Sequence, residues 1–240
     1  AARNLAARGV QVWAVGPTAC VARYSRSVAR FVVAPDEAGD PSLVESLLAL
    51  VEDQGLQGWV LFPTTDEQVR VVAQHQSLLA GQFRITTPPW EIFRAFYDKR
   101  LTSRLAGEAG VPIPACRVPG DRHSLGDVDM TFPIVIKPAV SSRLLRRTNR
   151  KAYLATTPQE LTCLYADLSR DIEPDEILLQ EYLPDPARNL YSYAGFFLDG
   201  DPVAGLAAKR PRQFPTDFGR ASTFVETADL PELGVLAARL

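Results

Sequence analysis

The sequence is 240 residues long with 46% hydrophobic and 22% charged residues, a profile that excludes a disordered or fibrous chain and leaves room for one large or two smaller globular domains. Twenty-six Lys and Arg stand against 28 Asp and Glu, and the resulting net charge of −2 excludes the global basic field that drives nucleic-acid binding. Three scattered cysteines, Cys20, Cys116 and Cys163, argue against a disulfide framework and point to a reducing cytoplasm, while His75 and His123 have no metal-ligand spacing around them.

The opening residues Ala1-Ala2-Arg3-Asn4-Leu5-Ala6 read as part of a helix, and residues 231–240 as a helix start without a terminator, so the expectation is a fragment clipped at both ends. Residues 9–22 form the longest uncharged stretch, too short to span a bilayer and broken by Gly16 and Pro17, which gives no membrane or secretion signal. Residues 10–15 read as a strand and Phe31-Val32-Val33 as another. Asp40-Pro41 opens a helix to Gly55, with Asp40 as cap and Pro41 at the first helical position. The apolar run at residues 58–63 reads as a fully buried parallel strand, residues 66–79 as one helix, and Arg84-Ile85-Thr86 as the closing strand. This alternation predicts a Rossmann-like parallel α/β domain over residues 1–90. Thr64 and Thr65, at the end of the 58–63 strand, read as helix caps in preference to ligand contacts.

From residue 91 to 240 the pattern becomes α+β. One helix is predicted over residues 89–110, ended by Gly110-Val111-Pro112. A strand follows at 132–138, a basic loop at 140–151, a strand at 151–155, and a helix opened by Thr157-Pro158-Gln159-Glu160. Strands at 176–182, 189–198, 202–209 and 221–227 complete the series, the middle two joined by a hairpin at Asp199-Gly200.

Several residues stand out chemically. Lys137 lies in an apolar strand, where its ammonium must either snorkel to water or meet an anion. Lys99 sits on an amphipathic helix, open to solvent or to a ligand. The 140–151 segment carries Arg143, Arg146, Arg147, Arg150 and Lys151 beside Ser141 and Ser142, which suits either a phosphate-covering loop or a solvated basic tip, and it has no glycine. Gln180-Glu181-Tyr182-Leu183 ends a strand, where free backbone groups can read the edge of a base. Residues 209–219, with Lys209 and Arg212, read as a long cationic loop, functional or merely superficial.

Taken in order, Lys99, the stop at 110–114, Phe-Pro-Ile-Val-Ile-Lys-Pro at 132–138, Leu-Gln-Glu-Tyr-Leu at 179–183 and the Asp-Gly hairpin resemble the ATP-grasp superfamily. The 209–219 segment followed by Glu226 resembles its predicted carboxylate–amine ligase branch. The resemblance implies an ATP-grasp domain at 91–240, with a smaller lobe at about 115–178 and an incomplete second lobe at 179–240. It implies ATP-dependent joining of a small-molecule carboxylate to an amine through an acyl phosphate. Lys99, Lys137, Ser141 and Ser142 would contact the phosphates, Gln180 would accept from the adenine amine, and the backbone of Glu181 and Leu183 would read the ring. Lys209 and Arg212 would reach the γ-phosphate or the substrate carboxylate. The family's Mg²⁺ ligands have no counterpart up to Leu240 and are expected beyond it, which implies an inactive fragment. A non-catalytic nucleotide- or partner-binding module on the same fold is the alternative. An NAD(P)-dependent oxidoreductase ranks below both, because no Gly-x-Gly-x-x-Gly turn follows any strand.

Overall fold

The structure is a computed structural model, and it describes residues 1–34, 40–148, 150–214, 218 and 221–240. Two compact units emerge, Ala1–Phe93 and Arg94–Leu240.

In the first unit, α1 (Ala2–Ala6) precedes β1 (Trp13–Gly16), β2 (Arg30–Val33), α2 (Asp40–Gln54), β3 (Val60–Leu61), α3 (Asp66–Gln74), α4 (Gln76–Leu79) and β4 (Arg84–Ile85). Both strand pairings are parallel, β1 with β2 and β3 with β4. They form two separate two-stranded sheets among the described residues, where the sequence had suggested one continuous parallel sheet. The run at 58–63 is also half-buried and not fully buried. Val60 and Phe62 are exposed, while Trp59 and Leu61 turn inward onto Val44, Leu47, Val51 and Leu79. Period-two alternation governs, because only one face of this short strand meets a helix layer. Trp13 and Trp59 meet edge to face at 5.5 Å, and Arg30 lies over the Trp13 ring. Thr65 caps α3 by accepting from Gln68 N–H at 3.3 Å, and Gln68 Oε1 accepts in return from Thr64 N–H at 3.0 Å, so these threonines are engaged in the capping that their sequence position suggested.

The second unit follows α5 (Trp90–Tyr97), which begins in the first. It contains α6 (Lys99–Glu108), β5 (Cys116–Arg117), β6 (Ile134–Pro138), α7 (Ser141–Thr148), β7 (Tyr153–Ala155), α8 (Pro158–Leu168), β8 (Ile177–Glu181), α9 (Pro186–Asn189), β9 (Tyr191–Leu198), β10 (Asp201–Phe214), β11 (Ala221–Ala228) and α10 (Pro231–Arg239). Antiparallel pairing builds a four-stranded sheet in the order β5-β8-β6-β7 and a three-stranded sheet in the order β11-β10-β9.

Three predicted elements change here. The single helix at 89–110 breaks at Asp98, whose side chain accepts from Arg100 N–H at 2.9 Å and starts α6 as its N-cap. The basic segment 140–151 is not a loop: residues 141–148 form α7, because Leu144 drops into the core and organises one face of a helix. The side chains of Arg143, Arg146 and Arg147 lie outside the described residues, as does that of Asp40. The cationic loop at 209–219 is strand as far as Phe214, with a register shift between Lys209 and Arg212 that accommodates Pro211. Residues 215–217, 219 and 220 lie outside the described set. No helix among the described residues is long and apolar enough to cross a membrane.

Candidate functional site

The four-stranded sheet separates its chemistry by face. Ile134, Ile136, Ile177 and Leu179 point one way, onto Leu144 of α7 and Leu161, Tyr165 and Leu168 of α8, and are almost fully buried. Val135, Lys137, Leu178 and Gln180 therefore point the other way, together with Cys116, which is directly opposite Gln180 on β5. A one-residue difference in parity thus sets a lysine, a glutamine and a cysteine on a face whose partner residues Val135 and Leu178 are buried.

Lys137 donates from Nζ to Gln180 Oε1 across the β6–β8 ladder. Its burial pushes the ammonium below the ordinary lysine range, with proximity to Cys116 acting weakly in the other direction. Burial pushes the Cys116 thiol up, so it stays protonated and a poor nucleophile at neutral pH, although the Lys137 charge opposes this. The sequence reading had assigned Gln180 Oε1 to an adenine amine, but in the structure this oxygen accepts from Lys137. An ammonium only donates, so the amide oxygen faces it and the amide NH₂ turns outward.

Lys99 occupies the first position of α6. Its Nζ donates to Ser141 Oγ at 2.7 Å and to Ala139 C=O at 3.2 Å, and its N–H reaches the same carbonyl at 3.1 Å. The structure thus brings Lys99 to the start of α7, where Ser141 and Ser142 form the first two residues. Beside it, Asp98 and Arg100 form a tight pair through Nε at 3.0 Å, and Arg100 also donates to Asp175 C=O at 2.8 Å. Burial alone would raise the Asp98 carboxyl, but hydrogen bonds from Arg100 outweigh it and hold the group below the usual carboxylate range.

Glu181 is at the exposed end of β8. Its N–H, which the sequence reading left free for a base, donates to Ala115 C=O at 2.8 Å, and its carboxylate accepts from Ala115 N–H at 3.0 Å. Leu183, past the last paired residue, is exposed. A cavity of about 360 Å³ opens between α6 and β5, lined by Arg100, Ser103 and Arg104 on one side and by Ile113, Cys116 and Leu178 on the other. Strand β5 itself had no sequence signal: two residues, one of them Arg117, carry no periodicity.

Lys209 and Arg212 belong to the other sheet. Lys209 faces Glu226 on β11, and its Nζ is 5.9 Å from the centre of the Tyr191 ring, while Arg212 is exposed beyond the register shift. No group of three or more His, Cys, Asp or Glu side chains that could hold a metal ion occurs among the described residues.

No protein-family model and no curated protein matches the chain. Solved structures do. An L-amino acid ligase from Bacillus licheniformis superposes with a TM-score of 0.65 at 11% identity, over 99% of this chain and 55% of that one. The biotin carboxylase domain of a Hydrogenobacter thermophilus 2-oxoglutarate carboxylase, solved with MgADP, ADP and bicarbonate, gives 0.67 at 13% identity, over 99% and 54%. An N5-carboxyaminoimidazole ribonucleotide synthetase solved with ADP gives 0.58 at 12%, over 99% and 59%. The chain spans little more than half the length of these structures. The chain shares its fold with these structures.

Proposed function

We propose that the chain carries the nucleotide-binding part of an ATP-dependent carboxylate–amine ligase. One observation supports this above the others: Lys137, half-buried on a sheet face beside Val135 and Leu178, donates to the Gln180 amide and to no carboxylate among the described residues, on a fold shared with enzymes solved with ADP. An ammonium held in that setting is poised for an anion, since a phosphate oxygen would offset the desolvation that burial imposes. Lys99 and Ser141, already joined at the start of α7, supply donors for the rest of the phosphate chain. Gln180, Glu181 and Leu183 stand at the strand end, where the base would lie.

In the proposed reaction a carboxylate oxygen attacks the γ-phosphorus of ATP and ADP leaves. An amine then attacks the carbonyl carbon of the acyl phosphate, and inorganic phosphate departs as the C–N bond forms. The protein's part is positioning and charge neutralisation, and it needs no nucleophile of its own. Lys209 and Arg212 are the cations proposed to meet the γ-phosphate or the incoming carboxylate.

Calorimetric titration of the chain with ATP, ADP, GTP and NADH tests the reading. Adenine nucleotides are expected to bind, and Lys137→Ala to weaken them about tenfold or more, the loss typical of a charge-assisted hydrogen bond. The pH dependence has a definite sign. Because the Lys137 ammonium is lowered by burial, it loses its proton below the ordinary lysine value of 10.5, and ATP affinity should fall as pH rises through that lowered range. Lys137→Arg, which stays charged, should flatten the fall. Binding of NADH but not ATP would overturn the proposal. Tight ATP binding by a full-length protein with no phosphate release in the presence of carboxylates and amines would favour the non-catalytic module.

A further inference from the structure

Strand β8 ends on a pair that departs from a regular antiparallel ladder. In such a ladder a bonded pair exchanges two backbone bonds, one in each direction. Glu181 makes one of them, donating to Ala115 C=O at 2.8 Å. The return bond is diverted: Ala115 N–H donates at 3.0 Å to Oε2 of the Glu181 side chain and not to the Glu181 carbonyl.

The other edge of β8 does not use that carbonyl either. Ala139 N–H donates to Glu176 C=O at 2.7 Å, and bonded pairs alternate along a ladder. The bonded pairs between β6 and β8 are therefore Lys137 with Leu178 and Val135 with Gln180, which leaves Ile134 opposite Glu181 as a non-bonded pair. The Glu181 C=O thus faces β5, where the donor it would ordinarily meet is held by its own carboxylate. The next N–H along that edge of an extended backbone is that of Leu183. Gln180 is the less available acceptor, because its Oε1 already accepts from Lys137.

We infer, on the nucleotide reading above, that the Glu181 carboxylate is a positioning residue for base selection: by holding Ala115 N–H it keeps the Glu181 C=O open to the exocyclic amine of adenine, and so selects adenine over guanine nucleotides. At the same place guanine presents a carbonyl oxygen. Acceptor would then face acceptor, and the strand-end carbonyl would go unpaired as the base displaces water from it.

The test is the ATP and GTP affinity of the wild-type chain, Glu181→Ala and Glu181→Gln, each measured by calorimetry. Glu181 is exposed, so neither substitution opens the core. In Glu181→Ala, Ala115 N–H is released to close the regular pair with the carbonyl at position 181. ATP affinity should then fall about tenfold with GTP unchanged, as expected for one lost hydrogen bond. Glu181→Gln keeps an acceptor oxygen within reach of Ala115 and should restore the preference for ATP. Equal weakening of both nucleotides in Glu181→Ala would show a merely structural role and overturn the inference. So would an unchanged ATP to GTP ratio, or a Gln variant as unselective as the Ala variant. A wild-type chain that binds no ATP would overturn the nucleotide reading itself, whereas ATP binding that ignores position 181 overturns only this inference.

Discussion

The two sheets of the second unit bury their apolar residues to different degrees. In the four-stranded sheet Ile136 and Leu179 are wholly buried beneath α8, and the opposite face is closed around Lys137 by Val135 and Leu178. In the three-stranded sheet Leu206 is 53% exposed, Phe224 52% and Phe214 70%, although β10 is the longest strand of the chain. Strand length and apolar content do not make a core; a second layer over the face does. The first sheet has that layer in α7 and α8 over one face, and Lys137 lies half-buried on the other face beside Val135 and Leu178. The second has α10 near Tyr193, with Leu206, Phe214 and Phe224 exposed.

The contrast predicts a large difference in mutational response. Ile136→Ala should destabilise by about 2–5 kcal/mol, the range for truncating a fully buried aliphatic side chain. Leu206→Ala, half in water already, should cost about 1 kcal/mol or less. Denaturant unfolding of both variants measures this. Equal costs would mean that the second sheet is as thoroughly covered in solution as the first and would erase the comparison.

A sharper probe lies inside the exposed sheet. Gly195 and Gly205 face each other across β9 and β10, and the Tyr193 ring lies over both, filling the space that two missing side chains leave. A Cβ on Gly205 would collide with Tyr193 Oη and its ring, while Gly234 of α10 stands on the same ring. Gly205→Ala must therefore move the tyrosine, at a cost of about 1–3 kcal/mol, the usual range for overpacking. Tyr193→Ala in the same chain should remove the penalty, so the double-mutant cycle should show strong non-additivity. Additive effects would mean that the ring does not rest there.

Much of the four-stranded sheet was legible in the sequence, and the reasons are local. Thr157-Pro158-Gln159-Glu160 closes as a reciprocal cap, with Thr157 Oγ1 accepting from Glu160 N–H at 3.2 Å and Glu160 Oε2 from Thr156 N–H at 2.7 Å. The hairpin of the other sheet was legible too: Asp199 and Gly200, between β9 and β10, both take positive φ, as a two-residue turn requires. The illegible parts depend on partners distant in sequence. Residues 141–148 carry so many cations that only the burial of Leu144 against β6 and α8 reveals a helix. Lys137 and Gln180, which the sequence singled out separately, meet only because the β6–β8 register puts them diagonally on one face, 43 positions apart. The diverted Ala115 bond is invisible in the same way, since β5 has no periodicity of its own.

The smallest expected effect concerns the core of the better-packed sheet. Tyr165 is 1% exposed, yet its hydroxyl has no hydrogen-bond partner among the described residues. Ser169 Oγ, one turn on, donates to the Tyr165 backbone carbonyl at 2.8 Å, and its presence near the phenol offsets only part of the burial that pushes the Tyr165 pKa up. An unmet buried hydroxyl costs about 1–3 kcal/mol in desolvation, whereas removing a single oxygen leaves only a small void. Tyr165→Phe should therefore be neutral or stabilise by about 1 kcal/mol, which for a domain of this size raises Tm by about 2–4 °C. A loss of similar size would mean that the hydroxyl has a partner in solution, and that even the most closely packed layer of the protein encloses water.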